Sequence, residues 1–505
     1  MAHYLFSKEE LEELSIPYPD LIIKKIGSRE YDKARSLSRE MSQSRVVLHD
    51  FFADSCVVLW SWIGEHMGEE VMEDMFRYVF EHSVRRQLFK ISVLFQVYPR
   101  FAISFLAEAG WRSHSCFGAG EYPASFSITE DEEKFTFHLH PCASGERLRK
   151  KGWYAPVRGG KLSKGAYSFT HNHKDFPYYC MHCPFHNEIL PYETLGHLMW
   201  PLDEPQGPDH ECRWHIYKDL NAIPKRYYDT LGLEKLKVPS LLAKRWQKRY
   251  FTEEELREMA RPVTDRIMEN LEKGDAKEAI RLCRDVKDEF LFLHDLYVHM
   301  LVTTFTFISE RRGEDALEEA LHVQFEKCIR GQLVERIKVL SPPEKIRFLA
   351  RKIFGPDRCD ETGVPKGRFT VSESEKYIEF ILHPCGSGGR LLQGGSYEPM
   401  TGFKRWCEDI EDALVINLSK SIPLPDSVLK LAFSLSGGSV TRRKPYAQGK
   451  TKKAYPWSFE SKNIPYYCCQ CGMLQTEVGS SCLKIYPPKG KHAPCIWQLD
   501  KDCLI

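Results

Sequence analysis

The chain has 505 residues, of which 42% are hydrophobic and 28% charged, with 71 basic against 70 acidic side chains and a formal net charge of +1. That length holds roughly two to four domains, and the charge balance supplies no field for nucleic acid or an acidic membrane surface. The first ten residues lack the basic start, apolar stretch and small-residue cleavage site of a signal peptide, and no apolar run approaches the ~20 residues that span a bilayer. The expectation is a cytoplasmic protein with no nucleic-acid and no membrane partner. In that compartment thiols stay reduced, so the 17 cysteines read as metal ligands, catalytic groups or core packing rather than disulfides. Nothing in the sequence sets an oligomeric state.

Internal similarity organises the rest. Phe6-Ser7-Lys8-Glu9-Glu10-Leu11 matches Phe251-Thr252-Glu253-Glu254-Glu255-Leu256. At the same offset of 245 residues, Leu48-His49-Asp50 matches Leu293-His294-Asp295 and Glu65–Glu69 matches Glu310–Glu314. Further on, His140-Pro141-Cys142-Ala143-Ser144-Gly145-Glu146-Arg147 matches His383-Pro384-Cys385-Gly386-Ser387-Gly388-Gly389-Arg390. Pro177-Tyr178-Tyr179-Cys180 with Cys183 then matches Pro465-Tyr466-Tyr467-Cys468 with Cys471, at an offset of 288, so the second copy carries an insertion after Arg390. Cys212-Arg213-Trp214 matches Cys495-Ile496-Trp497. The period is too long for a solenoid and predicts two tandem domains. They are a first repeat over 1–235 (helical over 1–115, β over 116–235), a linker over 236–250, and a second repeat over 251–505 (helical over 251–358, β over 359–505).

Each copy opens helical. Ser7 and Thr252 stand as N-caps with Glu10 and Glu255 three residues later, the capping-box pattern. Helical spacing of apolar residues runs from Tyr31 to Phe105 and from Asp275 to Phe354, with Gly68 and Gly313 placed to end or bend helices. Strand character follows at Phe135–His140, Tyr377–His383, Arg213–Tyr217 and Ile496–Leu499. Helices first and strands after, twice, predict an α+β fold: a tandem duplication, each copy ending in a small antiparallel sheet with a Cys-rich metal site. The basic runs Arg442-Arg443-Lys444 and Lys450-Thr451-Lys452-Lys453 read as solvated loop.

The metal constellation is Cys142, Cys180, Cys183 and Cys212 in the first copy and Cys385, Cys468, Cys471 and Cys495 in the second. Two cysteines separated by two residues chelate one tetrahedral ion from a tight turn, and thiolate-rich sets suit zinc, with an iron–sulfur cluster as the alternative. If the strand persists through the proline, His140 and Cys142, like His383 and Cys385, share a face, and each histidine is then the substitute ligand. The bland alternative is a set of packed thiols.

His49-Asp50 and His294-Asp295 sit in long apolar helices, where a polar pair is costly unless satisfied. They read either as pocket histidines acting as general bases or as packing histidines with a hydrogen-bond partner. Arg147 and Arg390 follow Ser-Gly and fit a carboxylate or phosphate, or else an internal glutamate such as Glu81 or Glu326. The first copy is the more polar around its Cys-x-x-Cys, with His171, His173, His182, His186, Glu188 and Glu193, so if one copy alone is catalytic the expectation is the first; His171 and His173 also fit an exposed loop. Tyr167, Tyr178 and Tyr179, matched by Tyr455, Tyr466 and Tyr467, suit stacking on a ligand or core packing.

The order helical region, strand, Cys142, Cys180 with Cys183, and Cys212-Arg213-Trp214 on a last strand, repeated through Cys385, Cys468, Cys471 and Cys495-Ile496-Trp497, resembles the L-2-amino-thiazoline-4-carboxylate hydrolase-like family. More remotely it resembles the vinyl-reductase-type small-molecule-binding domain, whose members hold a zinc near a buried pocket. The tandem copy departs from both. The resemblance implies two Zn2+ sites and a small-molecule hydrolase or lyase acting on a carboxylated or heterocyclic compound. His49, His140 and Arg147, with His294, His383 and Arg390, would be the working groups. The alternative it implies is a non-catalytic sensor or carrier braced by structural zinc. No Walker or dinucleotide loop, His-Glu-x-x-His or Gly-x-Ser-x-Gly is present to suggest other chemistry.

Overall fold

The computed structural model describes residues 4–84, 95, 99–112, 123–204, 211–238, 243, 249–355, 368–393, 448–490 and 493–504. In chain order the elements that matter are α1 (Lys8–Leu14), α2 (Tyr18–Gly27), α3 (Tyr31–Met67), α4 (Val71–Val79), β1 (Phe126–Glu130), β2 (Lys134–Leu139), α5 (Gly145–Lys150), β3 (Leu202–Asp203) and β4 (Cys212–Tyr217). They continue as α6 (Glu253–Ala260), α7 (Val263–Glu272), α8 (Ala276–Arg312), α9 (Glu314–Gln324), β5 (Arg368–Glu373), β6 (Tyr377–His383), α10 (Gly388–Gln393), α11 (Tyr466–Val478), β7 (Leu483–Tyr486) and β8 (Cys495–Asp500). The fold is α+β, with two four-stranded antiparallel sheets of the same order, β1-β2-β4-β3 and β5-β6-β8-β7. Both predicted capping boxes form, Ser7 with Glu10 and Thr252 with Glu255. Gly68 and Gly313 follow α3 and α8 at positive φ, 101° and 90°, where a side chain would be strained. The segment 394–447, with Arg442-Arg443-Lys444, lies outside the described residues.

The compact units do not follow the sequence halves. One is Trp60–Pro262; the other runs up to Leu59 and resumes at Val263, so the boundary falls inside α3. By length and composition α3 alone, among the described residues, is apolar enough to cross a membrane, but 83% of its most apolar window is buried in protein.

In the Trp60–Pro262 unit, β1 buries alternate residues, Phe126, Ile128 and Glu130. An inward carboxylate needs partners, and Glu130 has three: Lys218 Nζ at 3.0 Å and the backbone N–H groups of Tyr250 and Phe251 at 2.8 and 3.0 Å. This anchors the segment leading into α6, which packs on β1, with Phe251 edge-on to Phe135. Trp60, Phe76, Phe185 and Phe169 form a chain of ring contacts, each pair 4.8–5.5 Å apart.

The other unit repeats the device. Glu373 of β5 accepts from Leu5 and Phe6 N–H at 2.8 and 3.1 Å and pairs with Lys501 at 2.6 Å, so α1 packs on β5. Each N-terminal arm therefore covers the sheet of the other sequence half. The core gathers the apolar stripes Tyr18, Ile22, Ile26 of α2 and Val263, Ile267, Leu271 of α7, both packed on α8, which contributes Ala279, Leu282, Cys283 and Val286, with Met41 of α3 beside them. Spacing of four keeps each set on one helix face, and each fully buried side chain of this size contributes about 1.5–3 kcal/mol. Cys482, before β7, and Cys503, after β8, are joined in a disulfide. This corrects the expectation that no cysteine would be so used.

Candidate functional sites: paired thiol clusters and two pockets

Cys385, Cys468, Cys471 and Cys495 line one cavity, and Cys212 lies close enough to Cys142, Cys180 and Cys183 for their charges to interact, but neither set brings three sulfurs within 4.8 Å of one another. The strand does not persist through Pro141: β2 ends at Leu139, a cis His140–Pro141 bond follows, and Cys142 lies in the turn before α5. The second half has the same cis bond at His383–Pro384. The shared-face argument for His140 with Cys142 and His383 with Cys385 therefore fails. Both histidines are exposed. Register supplies the fourth thiol: Cys212 opens β4 opposite Leu139, and Cys495 opens β8 opposite Leu382. Cys180 and Cys183 lie in successive short helical segments, and Cys468 and Cys471 in the first turns of α11. A separation of three places such a pair on one helix face.

Two local features fit a thiolate cluster. A methyl at Gly145 would stand 2.6 Å from Cys180 Sγ, and one at Gly388 would stand 2.1 Å from Cys468 Sγ, so glycine is what lets each sulfur in. Burial raises the Cys142 thiol, against the backbone N–H groups of Ser144, Gly145 and Glu146, which donate to its sulfur and favour the thiolate. Burial, then repulsion from the neighbouring sulfurs, pushes Cys183, Cys212 and Cys468 far up; Cys180 is pushed up to about 12, chiefly by burial. Neither set is drawn as tightly as His322, Glu326 and Glu477, the trio found among the described residues with ligand atoms within 4.8 Å of one another.

A cavity of about 110 Å3 adjoins the second set. Its walls include Phe51, Leu333, Phe354 and Trp497, the four thiol residues, Ser387 and Lys352. Here the structure joins two predicted residues through two that sequence reasoning had not assigned a role. His294, buried, takes a hydrogen bond from Ser387 Oγ at Nε2 (3.0 Å), and its Nδ1 donates to Asp295 Oδ1 (3.2 Å). Arg390 donates to Asp295 Oδ2 at 2.7 Å and to Gly386 O at 3.4 Å. Burial opposes the Asp295 charge, but the Arg390 guanidinium and then His294 hold its carboxyl below the usual range. The internal partner of Arg390 is thus Asp295 rather than Glu326, which pairs with Arg330. His383 is not among the cavity walls. His49 is buried, 3.3 Å from Asp50 and edge-on to Tyr297. Arg147 is buried, its backbone N–H donating to Cys142 O.

The polar residues of the first half line a second pocket, of about 700 Å3, with His140 on its wall. His171 is buried rather than on an exposed loop: Nε2 donates to Glu188 Oε2 at 2.7 Å, and Nδ1 lies 3.4 Å from Glu204 Oε2. His173, 59% exposed, lies 2.7 Å from the other oxygen of Glu204. Burial works against the His171 charge, but Glu188 and Glu204 raise its pKa to about 10. His215 bridges Thr136 (3.1 Å) and Asp203 (2.9 Å), and Asp203 also accepts from Arg226 and Tyr227. No motif marked this group; His215 on a buried strand face was its one visible sign. His182 and His186 are core groups, lowered by burial to about 4 and about 3.

Four of the six tyrosines are tied to a glutamate, while Tyr467 lines the 110 Å3 cavity and Tyr179 stacks on Trp60. Tyr167 and Tyr178 donate to Glu69 at 3.1 and 2.6 Å, and Tyr455 and Tyr466 to Glu314 at 2.9 and 3.0 Å. No family model, curated protein or solved structure matches the chain.

Proposed function

We propose that the chain is a duplicated zinc protein whose second half is a hydrolase for a small, carboxylated and otherwise apolar molecule. One observation carries the reading: the Ser387–His294–Asp295 hydrogen-bond chain (3.0 and 3.2 Å), which meets the 110 Å3 cavity at Ser387. It has the order nucleophile, base and orienting carboxylate that acyl transfer requires. Cys142, Cys180, Cys183 and Cys212, and Cys385, Cys468, Cys471 and Cys495, would each hold one zinc. Their chemistry suits it, and Gly145 and Gly388 leave room for a sulfur where a methyl would block it. A four-thiolate zinc has no open position and braces the fold, fixing the turn that carries Ser387.

In the reaction, Ser387 Oγ attacks the carbonyl carbon as its proton passes to His294 Nε2. The bond to the leaving group breaks and that group takes the proton. A water, deprotonated by the same imidazole, then cleaves the acyl–serine ester, and the proton returns to Oγ. Arg390 keeps Asp295 charged and facing the imidazole. Lys352, whose ammonium is disfavoured by burial, stands on the cavity wall to receive a substrate carboxylate. A volume near that of a site that takes benzene limits the acyl part to a short chain or single ring.

The test is turnover of short-chain nitrophenyl esters and their carboxylated analogues. Ser387→Ala and His294→Asn should each lower kcat/KM by on the order of 10³-fold, and the double variant little further, because the two act as a unit. Unchanged turnover in Ser387→Ala would leave the second reading, a sensor or carrier module. That reading is favoured by the largely apolar cavity beside a closed thiolate set.

A further inference from the structure

We infer that the first half holds a third metal site, a divalent transition ion of the zinc type bound by His171 Nδ1, His173 Nε2 and Glu204, open toward the 700 Å3 pocket. Two imidazoles and one carboxylate converge here, on opposite oxygens of Glu204, but the three ligand atoms do not all lie within 4.8 Å of one another, so an ion would draw the exposed His173 side chain inward. Both imidazoles meet the same carboxylate, at 3.4 and 2.7 Å on its two oxygens. The remaining nitrogen of His171 donates to Glu188, whose other oxygen accepts the Leu202 N–H at 3.0 Å. A metal-binding imidazole is held this way, its second N–H fixed by a carboxylate that orients the ring and raises its basicity. Glu188 is here a positioning residue.

The backbone alone does not explain the arrangement. His171 and Asn172 adopt the left-handed turn at φ 48° and 60°, and Phe459 and Glu460 adopt it in the second half at 57° and 52°. The same turn there carries Phe459 and Ser461 in place of the two histidines, so one half has the ligands and the other has only the scaffold. Three protein ligands leave coordination positions free, unlike four thiolates. These positions face a pocket whose wall also carries Arg213 and Arg226. The site therefore suits an anionic ligand bound directly to the metal.

The experiment is titration of the metal-stripped full chain with Co2+, read by absorbance and by equilibrium dialysis. Thiolate ligation gives intense near-ultraviolet charge-transfer bands, and imidazole–carboxylate ligation does not. The expected result is three equivalents, one without charge-transfer absorption. That equivalent should vanish in His171→Phe/His173→Ser, which installs the second-half residues. Removing His171 takes the imidazole partner from buried Glu188 and leaves it only the Leu202 N–H of the two contacts named above, so His173→Ser alone, at an exposed position, is the second variant. It should weaken the third equivalent at least tenfold, and Glu188→Gln should weaken it about 10–100-fold. A wild type without the non-thiolate equivalent overturns the site. So does a third equivalent that persists in the His173 and His171 variants, which would place it elsewhere, as at His322. Failure of the thiolate sites reads separately, as loss of the charge-transfer bands.

Discussion

Gly388 shows how much one missing methyl group decides. With a Cβ there, Cys468 Sγ would lie 2.1 Å away, well inside contact distance. The clash is with a sulfur on the buried first turn of α11, not with a flexible tip. If the sets hold zinc as proposed, Gly388→Ala is expected to expel Cys468 from the second thiol set and lower the bound zinc by one ion per chain, measured by elemental analysis. Gly145→Ala should do the same in the first set. Glu69 makes a second case. Burial opposes its charge, but Tyr178 Oη–H and the N–H groups of Lys164 and Gly165, with Tyr167, together hold its carboxyl below the usual range. A lowered pKa stabilises the fold above the unfolded value and loses that contribution as pH falls through the folded one. Glu69→Gln should lower the unfolding free energy by about 2 kcal/mol at neutral pH. The gap from wild type should narrow as pH drops below about 4, followed by denaturant unfolding across that range.

At the scale of the element, the helices, strands and caps were legible because their causes are local: apolar spacing, capping boxes and terminal glycines lie within a few residues. Cys-x-x-Cys and the Cys-x-Ser-Gly turn are likewise short and recur, so the cysteines proposed as ligands could be named from the sequence. Ser387 with His294 was not legible, since 93 residues separate them and only the packing of α8 under the β6–α10 turn joins them. Nor was the covering of the sheets. Phe6 and Phe251 begin near-identical arms, and both sheets offer the same buried acceptor, Glu130 or Glu373. Local chemistry fits either pairing equally, so the choice belongs to the path of the chain. The docking itself rests on two N–H donors and one ammonium per carboxylate. Glu373→Gln is expected to leave Lys501 short of its counter-charge and to loosen residues 4–14. Hydrogen exchange read by mass spectrometry should show that peptide exchanging at least tenfold faster, with the peptide from Tyr250 to Ala260 unchanged.

For the whole molecule the exchange of arms has a direct consequence. The unit that resumes at Val263 draws α1, α2 and most of α3 from the first sequence half, and its core stripe of Tyr18, Ile22 and Ile26 is buried in one cluster with Val263, Ile267 and Leu271 of α7 and Leu282, Cys283 and Val286 of α8, all from the second half. In return, the Trp60–Pro262 unit takes Phe251 and α6 from the far side of the predicted linker. The halves are thus not two beads on a string. A chain carrying a specific protease site inserted at exposed Lys237 tests this. Cut there, the two fragments are expected to elute together in size-exclusion chromatography and to separate only in denaturant, because several buried apolar side chains at about 1.5–3 kcal/mol each outweigh the loss of one covalent link. Fragments that part on cutting under native conditions would mean that each sequence half buries its own core, and that the exchanged arms contribute little to holding them.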